Sequence, residues 1–208
     1  MTTEREAIAA KPFLRLVNPK LTDLTGIIWE PWQDLALVAC LKGETENGTL
    51  YVSISEDAGV NREKFFSDAR QYMREVAEIT SILSALKDLA SNLGMDPDEE
   101  FAQEDDSSMF VVSTKDKTNG ASIITLPSVI EELNKQFTRF YIIPSSRHEM
   151  IVVPMMIKDS HIEMFLNELV RETNMSTTAL SDWLGNHIYI CERGVISQID
   201  APVGVIEE

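Results

Sequence analysis

The stretch Pro144-Ser145-Ser146-Arg147-His148-Glu149 gathers two hydroxyls, a guanidinium, an imidazole and a carboxylate within a few residues. A hydrolase draws on such groups, with a serine as nucleophile, a histidine as its base and a carboxylate to orient the imidazole. Chain geometry opposes a relay built from these neighbours alone. Successive side chains of an extended strand point to opposite faces, so His148 and Glu149 diverge and only His148 shares a face with Ser146. An orienting carboxylate would have to come from elsewhere in the fold. No G-x-S-x-G segment is present to expose a strained serine. As a plain turn, the same residues would bond local backbone and aim their charges at water, and that is the reading we expect of Ser145, Ser146, Arg147, His148 and Glu149.

Other chemistry is weaker still. His148, His161 and His187 lack metal-site spacing, and neither a phosphate-binding P-loop nor a GxGxxG segment occurs, so no metal and no cofactor is expected. Cys40 and Cys191 lie in apolar strand-like runs without CxxC spacing and read as small buried hydrophobes of a reduced compartment. Trp29 and Trp32 bracket Pro31; they form either an exposed aromatic patch for a partner or a lid on the edge of the core.

The elements that must position these groups can be read from hydrophobic period. Residues 34–41 and 48–54 are apolar, β-branched runs separated by KGETEN, a hairpin with a long solvated turn. From Asn61, an N-cap residue, Phe65, Ala69, Tyr72 or Met73 and Val76 recur at helical spacing. A second helical pattern runs from Ile82 to Leu93 and stops at Gly94. Residues 96–106 carry seven acids and no base, which predicts a solvated linker. Strands follow at 109–114 and 121–125, then a short helix opened by Pro127. Residues 140–143 and 150–153 are apolar at every position, as for strands covered on both faces, with Pro144 and Pro154 as their ends. Ser160 and Glu163 have capping-box spacing before a helix over 161–172 whose core face would be Ile162, Phe165, Leu166, Leu169 and Val170. A last strand covers 187–191.

Hairpins dominate and no βαβ alternation appears, which predicts an α+β fold: a mainly antiparallel sheet with helices packed on it. Residues 14–95 would hold the first hairpin and two helices, 96–106 the linker, and 107–200 the rest of the same domain, with a lead at 1–13 and a tail at 201–208. At 208 residues and 44% hydrophobic content the chain can bury a core without disulfides or metals. A formal charge of −16 opposes binding to nucleic acid and to anionic membrane surfaces. With no signal-like leader and no apolar run of spanning length, a cytoplasmic location is expected.

The segment FYIIPSSRHEMIVVP at 140–154, preceded by ASIITLPSVIEELNKQF and followed by FLNELVRETN, resembles the bacterial domain-of-unknown-function family 5688 (DUF5688), whose hallmark is a strand, a Pro-Ser-Ser-x-His-Glu turn and a second strand. LRLVNPKLT, WQDLALVACL and LGNHIYICE fall in the family's order, so the resemblance runs from about Leu14 to Cys191. It implies a shared fold, a bacterial or phage origin and correspondence to the C-terminal part of longer members. It carries no activity. The reading is therefore a non-enzymatic binding or interaction module with a protein partner. One alternative is a hydrolase-like enzyme using residues 145–149, and another is an acidic decoy of a nucleic-acid-binding protein.

Overall fold

The structure, a computed structural model, describes residues 10–46, 48–92, 109–155, 160–176 and 178–199. The acidic segment 96–106 and the helix stop at Gly94 lie outside these residues. Two antiparallel sheets carry the architecture, consistent with the α+β class. In the first, β3 (Leu35–Thr45) is central, with β1 (Lys11–Val17) along one side and β2 (Trp29–Trp32) and β4 (Gly48–Ser53) end to end on the other. The second has six strands in the order β10-β9-β7-β8-β6-β5, built from β5 (Ala77–Ser81), β6 (Phe110–Thr114), β7 (Arg139–Ser146), β8 (Glu149–Pro154), β9 (Ile188–Glu192) and β10 (Val195–Ile199).

Period-two alternation explains why residues 140–143 are apolar throughout. Phe140 and Ile142 face a core shared by both sheets, where they meet Leu14, Leu37, Phe66 and Met73, while Tyr141 and Ile143 face the opposite side and pack on Leu166 and Val170. β7 and β8 are adjacent, antiparallel and at the centre of the sheet, as predicted. The inner face is closed by α1 (Arg62–Val76), whose N-cap Asn61 accepts the Lys64 amide at 2.8 Å, and, beyond α2 (Ile82–Asn92), by α3 (Pro127–Gln136), which buries Val129, Ile130 and Leu133. Each such side chain contributes about 1.5–3 kcal/mol on burial. Helix α4 spans Ser160–Ser176.

Several local expectations are corrected. Residues 121–125 form a 3-10 helix (Gly120–Thr125), not a strand. Ser122 donates to Asn119 O and Thr125 to Ser122 O, i−3 bonds that compete with a ladder, and the left-handed Asn119 turns the chain inward. Pro144 does not end its strand: β7 continues to Ser146 through a register shift, which accommodates the missing donor. Strands β3 and β4 pair as far as Thr45 and Gly48, so the ladder runs through most of the stretch expected to be a long turn. Helix α4 buries Leu166, Asn167, Val170 and Asn174, leaving Ile162, Phe165 and Leu169 exposed: the buried face is rotated away from the expected apolar stripe and includes two asparagines. Asn167 accepts the Ile188 amide and Asn174 donates to Gly185 O, so both are satisfied by the chain leading into β9.

Candidate functional site

Strands β7 and β8 bring the five candidate residues to a tight hairpin tip. Ser146 pairs with Glu149, which reduces the expected six-residue loop to a two-residue turn, Arg147-His148. Surrounding segments hold the main chain of that turn. Arg147 N–H donates to Asp182 O at 2.9 Å, Arg147 O accepts from the Ala121 amide at 3.2 Å, and His148 O accepts from Ser113 Oγ at 2.8 Å. Gly120 stands where a side chain could not: a Cβ there would lie 2.3 Å from Ser113 Oγ, 2.4 Å from Thr114 N and 2.7 Å from His148 O.

The side chains are engaged as well. Ser145 Oγ donates to Glu149 Oε1 at 3.1 Å, and Ser146 Oγ accepts from the His148 main-chain amide at 3.1 Å. Imidazole Nδ1 accepts the Asn119 amide at 3.3 Å, and the Arg147 Nε–H is directed at the other ring nitrogen, Nε2. That nitrogen lies 3.3 Å from Arg147 Nε and 4.0 Å from Asp182 Oδ2. Arg147 Nε in turn pairs with Asp182 Oδ1 at 2.9 Å. A carboxylate from a distant segment thus stands behind His148, but in front of the ring there is a peptide amide and not a serine hydroxyl. Neither serine bonds the imidazole. The arrangement pins a hairpin tip to two neighbouring segments.

The two tryptophans part company. On β2 they lie three residues apart and so face opposite ways: Trp29 packs with Val17, Ala36 and Val38, whereas Trp32 turns to the shared core and stacks edge-on against Tyr189 at 5.2 Å. Trp32 also forms one wall of a groove of about 730 Å³. Ile124, Pro127, Ile130 and Ile196 supply further apolar surface, and Glu131, Lys135 and Arg193 bring charge to it. The elements converge for local reasons: Pro127 opens α3 at a position needing no N–H, and Arg193-Gly194, both left-handed, close the β9–β10 hairpin beside it. Of the groove, sequence reasoning found only Trp32. Glu192-Arg-Gly-Val195 was the available signal for the turn, hidden because asparagine usually precedes the glycine.

A second polar cluster joins the sheets. In the turn after β2, Asp34 Oδ1 accepts from the Tyr189 hydroxyl at 2.6 Å and meets His187 Nε2 at 3.1 Å, and Gln33 Nε2 donates to Ile196 O at 3.0 Å. Burial pushes the Asp34 carboxyl up, but the bonds from His187 and Tyr189 outweigh it and hold the group below its ordinary value. Both cysteines are buried, and burial pushes the Cys40 thiol up to about 12 and the Cys191 thiol upward too, so neither is poised as a nucleophile. Among the described residues no group of three or more His, Cys, Asp or Glu could hold a metal ion, and no helix is long and apolar enough to cross a membrane.

Fold and geometry together describe an α+β domain with a braced hairpin tip and an open, Trp-walled groove. The chain belongs to DUF5688, a family of unknown function, whose model matches residues 2–193 and therefore reaches beyond the C-terminal part that the sequence motifs suggested. No curated protein and no solved structure matches the chain.

Proposed function

We propose that this protein is a binding module and that the groove walled by Trp32 is its recognition surface. The observation that carries the reading is the groove itself: a concavity of about 730 Å³ is in the range of small-ligand sites, and its lining is apolar with a few polar groups at defined positions. An indole that stacks on Tyr189 and still lines the opening is a rigid contact with little entropy to lose on binding. The hydrolytic alternative at Ser145, Ser146, Arg147, His148 and Glu149 draws no comparable support, because the serines and the imidazole are committed to other partners. The acidic decoy would need carboxylates aligned along one face, and the crowding of seven acids into residues 96–106 speaks against it.

Amide and indole shift mapping during a fragment screen tests the reading. Hits are expected to perturb the Trp32 indole together with Ile124 and Ile130, and Thr138→Trp, which fills the groove from an exposed position on its wall, is expected to abolish them. Shifts clustered at Arg147 and His148, or hits insensitive to Thr138→Trp, would overturn it.

A further inference from the structure

Arg193 occupies the first position of the two-residue turn between β9 and β10 with φ 51°, followed by Gly194 at φ 84°. Asparagine suits that left-handed position and arginine does not, so the turn itself gains nothing from this residue. Its backbone is fixed all the same, since Arg193 N–H donates to Thr138 O at 3.2 Å across the end of α3. The residue therefore lines the groove from an anchored turn.

The charges around it are unequal. Neighbouring cations are matched: Arg139 pairs with Glu192 at 3.3 Å and Lys135 with Glu132 at 2.8 Å. Glu131 lines the groove too and acts on Lys135, so the lining itself holds one carboxylate against two cations, Lys135 and Arg193. Arg193 has no ion-pair partner among the described residues. In a chain of formal charge −16, a lining with one cation in excess favours an anion by contrast with the acidic chain as a whole.

We propose, resting on the groove being the recognition surface, that its ligand is an amphipathic monocarboxylate: an apolar body lies against Trp32, Ile124, Ile130 and Ile196, and the carboxylate takes the fork of the Arg193 guanidinium. A planar fork with parallel N–H donors matches a carboxylate in geometry as well as charge. A doubly charged phosphate fits less well, because Glu131 shares the lining and a single guanidinium cannot balance it.

Titration calorimetry with octanoate, 1-octanol and octylammonium, three probes with one tail and three heads, tests the proposal on wild type, Arg193→Asn and Thr138→Trp. Octanoate is expected to bind about tenfold tighter than octanol, and octylammonium more weakly than either. Arg193→Asn keeps the turn, since asparagine accepts its backbone conformation, and is expected to bring octanoate down to the level of octanol while leaving octanol unchanged. Added salt is expected to shrink the octanoate preference in wild type and not in the variant. Equal binding of octanoate and octanol by wild type, or a preference that survives Arg193→Asn, overturns the carboxylate assignment and leaves the groove standing. Binding that survives Thr138→Trp, or no binding of any probe, overturns both.

Discussion

The hydroxyl of Tyr189 donates to the carboxylate of Asp34 across 2.6 Å, and this bond joins the turn of the first sheet to a buried strand of the second. Burial pushes the Tyr189 phenol well up, and the adjacent Asp34 carboxylate adds to the shift, so the hydroxyl stays a donor at any physiological pH. Tyr189→Phe retains the ring that stacks on Trp32 and removes only the bond. A loss of about 1.5 kcal/mol is expected from chemical unfolding, the low end for a bond to a charged group because the Asp34 side chain is 32% exposed.

Acid should reveal the same carboxylate. Asp34 has a folded-state value below the ordinary 3.8 that it regains on unfolding, so its stabilising contribution is complete above that pH and disappears as pH falls through the folded value. The stability difference between wild type and Asp34→Asn is therefore expected to shrink as pH falls below about 4. A difference that stays constant as pH falls well below 4 would refute the assignment.

Lys42 is 6% exposed at its side chain, pairs with Asp116, and stands 5.8 Å from the Phe13 ring centroid. Burial alone would push its ammonium down; the bond it donates to Asp116, with Tyr51 and Tyr72 nearby, holds it above its ordinary value. Asp116→Ala leaves that charge only Glu44, exposed and 3.9 Å away, and is expected to cost about 2 kcal/mol, short of a fully buried pair because Asp116 itself is 37% exposed. Adding Lys42→Met to Asp116→Ala is expected to recover most of the loss, since an apolar chain then fills the site. Denaturant midpoints of the three variants decide it.

How legible these features were in the sequence depended on whether local pattern or distant contact set them. The adjacent central strands at 140–143 and 150–153, the Asn61 cap and the helix opened by Pro127 follow from period and capping chemistry, which act within a few residues. β1 and β5 are not legible as strands because their register is fixed by partners far along the chain, as when Phe13 meets Cys40 and Ile79 meets Val112; β2 and β10 pair with the neighbouring strand, but through tight turns that place Gln33 and Arg193, unusual residues for the purpose, at positive φ. The partners of His148 were invisible for the same reason: Asn119 and Asp182 reach it from 29 and 34 positions away. Helix α4 misled by composition, since its buried side holds Asn167 and Asn174, whose bonds to the chain before β9 cannot be read from α4 alone.

Gly120 offers a sharp stability test. A methyl group there would collide with Thr114 N and with His148 O, backbone atoms that cannot rotate away as a side-chain end can. Gly120→Ala is accordingly expected to destabilise by about 3 kcal/mol, the upper range for overpacking, and to loosen the Arg147-His148 turn in amide exchange before the rest of the sheet. A variant as stable as wild type would mean that the 3-10 segment can shift away from β6.

The hairpin tip itself separates bracing from chemistry. If Ser146 and His148 serve only the turn, Ser146→Ala removes one acceptor for a main-chain amide and His148→Ala another, and each is expected to cost about 1 kcal/mol. Asp182→Ala should cost more, because Asp182 accepts the Arg147 guanidinium, and a half-buried cation would lose its partner. Ligand affinity at the Trp32 groove should be unchanged in all three variants, since none of these residues lines it. A catalytic role predicts the reverse pattern: thermal midpoints that hold while a measured turnover disappears with either Ser146 or His148. Measuring both quantities on the same three variants distinguishes the two, and unchanged stability in His148→Ala alone would already mean that the Asn119 amide finds water as good an acceptor as the ring.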